Sequence, residues 1–213
     1  MRRFAAALPL AALVCLAVTG RTASPAHARP DETRTEVRLF TPFILSASLA
    51  GVQRGLTVTD RVSGTCWTGS LADGGRPDAW RCMSGNRIYD PCFQGFERIA
   101  DAPTNQLVVA CAPSPWAGTV VVLTPDEPLP AGERTPPAPL EGMPWALELA
   151  NGVRCVFATG ATAVIAGLRL NYSCPDGAWV IGDVDRSADA WQVFYMPFDD
   201  YVTRQVSVTV AWY

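Results

Sequence analysis

The chain has no lysine, and its one histidine, His27, lies in a segment near the start that reads as a removable leader. A mature protein without either residue cannot run a Ser-His-Asp or Cys-His mechanism, cannot use a Ser-Lys pair or a Schiff base, and offers no imidazole to zinc or copper. Other absences narrow the chemistry further. There is no G-x-S-x-G elbow, no phosphate-cradling glycine loop, no H-E-x-x-H helix and no CxxC pair to frame a thiolate zinc site. No cofactor, metal or catalytic residue is expected, and the balance leans away from an enzyme.

Long apolar runs are scarce as well. The one run, Phe4 to Val18, follows Arg2 and Arg3 and precedes Ala26-His27-Ala28, the small-x-small pattern cut by signal peptidase. It is short of the roughly 20 residues a membrane span takes, so residues 1–28 are expected to be a cleaved signal peptide and the protein secreted. Cys15 lies inside the run without a small residue before it, which argues against a lipid anchor. Cleavage after Ala28 would leave 185 of the 213 residues, with 14 arginines against 20 acidic residues and a net charge of −6. No basic block and no later spanning stretch is present, so neither nucleic acid nor a membrane is an expected partner.

Cysteine, by contrast, is plentiful. Cys66, Cys82, Cys92, Cys111, Cys155 and Cys174 survive cleavage, an even set in an exported chain that argues for three disulfides. Cys92 and Cys111 are 19 apart with Trp116 five residues on, and Cys155 and Cys174 are 19 apart with Trp179 five residues on. Upstream, Trp80 and Ser84-Gly85-Asn86 precede the first pair as Trp145 and Ala150-Asn151-Gly152 precede the second. The pattern suggests a divergent tandem duplication, each copy closed by its own bridge: Cys92–Cys111, Cys155–Cys174, and Cys66–Cys82 as an extra staple.

Period-two alternation dominates the rest. Strands are expected at Glu36–Phe40, Leu56–Asp60, Thr65–Thr68, Ala79–Met83, Gln106–Ala110, Thr119–Thr124, Leu168–Ser173, Ala178–Val184 and along Val206–Trp212. Between Trp145 and Phe157 a two-residue Asn-Gly loop would mix polar and apolar residues on each face. A three-residue loop with Gly152 left-handed instead pairs Leu149 with Val153, Leu147 with Cys155 and Trp145 with Phe157. Weak helix signals remain at Phe43–Val52 and Gly95–Ala100. Residues 124–144 hold seven prolines in 21 positions, which disfavours helix and central strand alike. The expected fold is mainly β: two tandem disulfide-closed antiparallel modules, 29–123 and 145–213, joined by 124–144 and packed as a sandwich- or barrel-like globule.

Candidate sites are few. The acidic group Asp183, Asp185, Asp189, Asp199 and Asp200 suits a solvated loop better than a calcium site, because Asp183-Val184-Asp185 lacks the oxygen ligand and the glycine that follow in a calcium loop. Arg76, Asp78 and Arg81 could hold an anionic group but fit a structural ion network better. Trp80, Trp116, Trp145 and Trp179 recur beside cysteines, where rings packed on disulfides are expected in the core. Asn171-Tyr172-Ser173 has the form of a glycosylation sequon but overlaps a strand.

The segments Gly64–Ser70, Arg76–Cys82, Asp90–Phe93 and Val208–Tyr213 resemble a recurrent group of exported, cysteine-rich proteins of high-GC Gram-positive bacteria, over about Val37–Tyr213. Abundant Arg, Ala, Gly and Pro without Lys is the codon bias of such genomes. That group has no assigned activity, so the resemblance implies compartment and cysteine framework and no reaction. Together these features point to a secreted, non-catalytic binding or structural protein of the cell wall or extracellular space, with a polysaccharide or a secreted protein as partner. A carbohydrate-binding module or carboxylate-dependent glycan hydrolase is the alternative, on the tryptophans and the Asp cluster. An inhibitor of secreted proteases, with 124–144 as its loop, is a third.

Overall fold

Alternating β-branched and polar residues fold as strands throughout the residues that a computed structural model describes, 33–44, 50–98, 105–130, 142–200 and 202–213. Among these there is no α-helix, only a three-residue 3-10 turn at Pro175–Gly177, and no helix long and apolar enough to cross a membrane. After β1 (Glu36–Arg38), five strands form a closed barrel: β2 (Thr57–Gly69), β3 (Ala79–Ser84), β4 (Arg87–Arg98), β5 (Asn105–Cys111) and β6 (Thr119–Pro125). Neighbours are antiparallel except at the closure, where β2 and β6 run parallel from Thr57↔Thr119 to Gly64↔Pro125.

The second sheet contains β7 (Ala146–Leu149), β8 (Arg154–Phe157), β9 (Val164–Ile165), β10 (Leu168–Ser173), β11 (Trp179–Asp185), β12 (Gln192–Met196) and β13 (Arg204–Trp212). Its path runs β13-β12-β11-β10-β8-β7, and β13 also pairs β7, so six strands close a second ring. The β7–β8 hairpin has the three-residue loop expected from its facing pairs. Leu147 lies opposite Cys155, the Leu149 amide donates to Val153 and the Phe157 amide to Trp145, and Gly152 has φ +82°.

Two features tie the rings together. β1, which precedes the first barrel in the chain, pairs in parallel with β13 of the second ring, and Thr35 beside it donates its hydroxyl to Val208 O at 2.7 Å and accepts the Trp191 amide at 2.8 Å. One buried cluster also draws on both rings, Phe93, Val108, Val120 and Val122 from the first and Trp145 and Ala146 from the second. At its centre Phe40, Phe93 and Trp145 meet with centroid distances of 5.2 to 5.5 Å and tilted or edge-on planes, the favourable geometry for aromatic rings.

The strand expectations fail chiefly at β4. Gly95–Arg98, where a helical turn was expected, continues this strand, and residues 99–100 lie outside the described ones. Gly95 is there because Phe43 lies on it: a Cβ would sit 2.2 Å from the ring. Pro91 is tolerated within the strand because the β3–β4 register shifts between Cys82↔Tyr89 and Trp80↔Cys92, so its missing N–H falls at the irregularity. The other helix signal becomes an isolated Phe43↔Val52 bridge, with 45–49 outside the described residues.

Candidate functional site

The three bridges join Cys66 to Cys82, Cys92 to Cys111 and Cys155 to Cys174, the pairs that the spacing suggests. Cys66 and Cys82 face each other across β2 and β3, and Cys92 and Cys111 across β4 and β5. Trp80 packs among these four sulfur-bearing residues, as expected. Trp145 also lies in the core, as expected, but neither it nor the other two packs on a disulfide. Trp145 is buried in the aromatic cluster between the rings, Trp116 is half-buried at its margin, and Trp179 lies half-buried with Leu170, Ile181 and Met196. Trp179 and Ile181 alternate with Val180, which joins the second ring's other buried cluster, so they point to the opposite side of the sheet.

The aspartates expected as a solvated loop are dispersed. Asp183, Asp185, Asp189 and Asp199 are exposed, and Asp200 pairs with Arg204. Among the described residues no three His, Cys, Asp or Glu gather as a metal centre. The Asn171 amide is buried and donates to Gly182 O at 2.8 Å and to Asp183 Oδ1 at 3.1 Å, so the sequon is closed to a glycan in the folded chain. Arg76 pairs with Asp78 through two hydrogen bonds of 2.9 and 2.6 Å, while Arg81 pairs with Asp90 at 3.0 Å, a structural network as expected.

That network encloses two groups that the sequence did not single out. Asp90 has a side chain only 1% exposed, yet it accepts hydrogen bonds from Ser70 Oγ and from the amides of Leu71 and Ala72, besides the Arg81 guanidinium. Burial raises its pKa, and these donors work against the rise. Asp73 is wholly buried, and neither carboxyl oxygen has a hydrogen-bond partner among the described residues. Desolvation pushes its pKa up to about 7, against the pull of Arg76 and with the help of Asp78 and Asp90.

An open cleft of about 610 Å³ lies elsewhere, at one end of the second ring. Arg154 on one wall precedes Cys155, and Pro175 and Asp176 on another follow Cys174, so the third disulfide pins both walls together. The opposite side comes from the end of β12: Tyr195, Phe198 and Asp199. Phe198 is 66% exposed and lies over Gly177, where a Cβ would come within 2.8 Å of its ring and where φ is +75°. Glycine is required there on both counts.

The charges of the cleft are unequally engaged. Arg154 donates to Glu148 at 3.0 Å and stacks 5.4 Å from the centre of the Trp116 ring, so its charge is already matched. Asp176 and Asp199 have no ion pair or side-chain hydrogen bond among the described residues. The cleft therefore presents two free carboxylates beside two aromatic rings on a braced frame. Of these residues the sequence drew attention to Asp199, and then for a metal or catalytic role. The loop expected of an inhibitor falls largely at 131–141, outside the described residues. No protein-family model, no curated protein and no solved structure matches the chain.

Proposed function

We propose that this is an exported, non-catalytic protein that binds its ligand in the cleft braced by the Cys155–Cys174 bridge, and that the ligand is a cationic segment of another extracellular protein. One observation carries the reading: Asp176 and Asp199, both unpaired, flank the exposed Phe198 ring and Tyr195 in a single concavity. A cation gains from the carboxylates by charge and from the rings by cation–π attraction, about 0.5–2 kcal/mol per ring. The absence of Lys, the confinement of the one His to the leader-like start, and the bridges support an exported binder. The burial of Asp73, whose pKa desolvation pushes up to about 7, away from the cleft supports the non-catalytic reading.

A second reading, a polysaccharide ligand, is favoured by the exposure of Phe198 and of Trp67, 42% exposed, since exposed aromatic faces stack on sugars. Calorimetric titration of the mature, bridged protein with arginine-rich peptides and with neutral cell-wall and plant oligosaccharides separates the two. Saturable peptide binding that Phe198→Ala and Asp199→Asn each weaken is the expected result. Saturable sugar binding with none to peptides would replace the cationic ligand by a glycan. Binding to neither, or turnover of any glycan dependent on one carboxylate, would end the proposal.

A further inference from the structure

Asp73 stands at a junction between the rings. It belongs to the loop from Ser70 to Asp78, and the next turn of this loop touches a short strap, Gly142–Pro144, that leads into β7. A Cβ on Gly142 would lie 2.7 Å from the Gly75 nitrogen, so the two backbones are in direct contact and position 142 admits glycine alone. Side chains of the second ring hold the strap from the other side. Tyr172 donates its hydroxyl to Pro144 O at 2.8 Å, Tyr213 donates to Gly142 O at 3.3 Å, and Arg186 donates to the same oxygen.

Among the described residues, the charged groups that act on Asp73 are already engaged. Arg76 gives Nε and Nη2 to Asp78 and Nη1 to the main-chain oxygens of Phe40 and Tyr213, while its plane lies 4.5 Å from the centre of the Phe93 ring. Arg81 is bound to Asp90. Asp78 and Asp90 add negative charge from the loop and from β4, and Tyr172 and Tyr213 face Asp73 from β10 and from the end of β13 with hydroxyls that burial keeps neutral. Arg186, beyond the strap, acts on those two tyrosines. An ionised Asp73 would thus be a buried charge without a hydrogen-bond donor, which a folded protein tolerates poorly.

We propose that the Ser70–Asp78 loop and the Gly142–Pro144 strap form a proton-operated latch between the two rings, shut by a neutral Asp73 carboxyl and driven to open, admitting water, as rising pH makes its ionisation favourable. The sign follows from linkage. The closed form binds a proton more tightly than the open form, so opening grows easier from the ordinary aspartate range, 3.8, up to about 7 and then levels off.

The amides of Asp73 and Arg76 report on the loop, since they donate to Ser70 Oγ at 2.8 Å and to Asp73 O at 3.2 Å. Hydrogen exchange of the full mature chain, corrected for intrinsic rates, should show their protection falling by at least about tenfold between about pH 5 and about pH 7, with no comparable fall for amides in β5. In Asp73→Asn the fall should vanish. Protection that does not change in the wild type, or a fall that persists in Asp73→Asn, overturns the latch. Should that variant fail to fold, carbon-13 NMR of the wild-type carboxyl decides: a midpoint near 7 is expected, and a midpoint in the ordinary carboxylate range overturns the proposal.

Discussion

Single side chains explain why this molecule is poised rather than merely stable. Asp73 has a carboxyl raised to about 7 from an ordinary 3.8, so the folded chain holds a proton that the unfolded chain releases across that window. The contribution of this group to folding stability is accordingly greatest in acid and declines as pH rises to about 7, by up to about 4 kcal/mol. Urea denaturation of wild type and Asp73→Asn at a series of pH values checks it; parallel curves would show that the group contributes nothing. Trp145 is the largest fully buried side chain and joins the rings through Phe40 and Phe93. Trp145→Ala should cost about 3–5 kcal/mol in the same experiment. Neither role was legible beforehand. Asp73 in Ala-Asp-Gly-Gly reads as a turn residue, and nothing local in the sequence announces that it is buried or that Gly142, a distant part of the chain, meets Gly75 in the same loop. Trp145 reads as ring on disulfide because Cys155 is near in sequence and because it shares its parity with Leu147 and Leu149, whereas in the structure it lies just before β7 and packs on Phe40 and Phe93.

At the scale of elements, hairpins were the most legible part. The facing pairs of β7 and β8 select their loop length, because a shift of one residue would turn Leu147 and Leu149 away from their apolar partners. β4 was hidden by Pro91 and Gly95, which weaken any strand signal and are explained by contacts with β3 and Phe43. The equal spacing of two cysteine pairs is met by different constructions: Cys92–Cys111 links consecutive strands, whereas β9 intervenes between the strands that Cys155–Cys174 connects. Bridges over loops of this size stabilise by about 3 kcal/mol each in the chain-entropy account. Replacing Cys155 and Cys174 by alanine should therefore lower stability by roughly that amount and also weaken cleft binding, since the bridge pins Arg154 to Pro175. Replacing Cys66 and Cys82 should lower stability alone. Equal effects of both pairs on binding would remove the bridge from the site.

The molecule as a whole is two closed rings with one shared cluster, and closure leaves few strand edges to template aggregation. The expected modules meet as a barrel-like globule, but ring closure was beyond the sequence, because the parallel β2–β6 pairing and the β7–β13 pairing join segments far apart in the chain. The return of β1 to β13 was equally invisible, since three residues carry no sign of their partner. A shared core predicts one cooperative thermal transition with calorimetric and van't Hoff enthalpies equal; two resolved transitions would mean the rings fold apart. The proposed binding rests on the cleft at one end of the second ring. The most direct test is the affinity of an arginine-rich peptide for the mature protein at about 50 mM and about 0.5 M salt, where screening of exposed charges becomes strong. Binding that weakens markedly with salt, and loses that dependence in the Asp176→Asn, Asp199→Asn double variant, is what an acidic, aromatic cleft requires. Binding indifferent to salt, or unchanged by the double substitution, would contradict it.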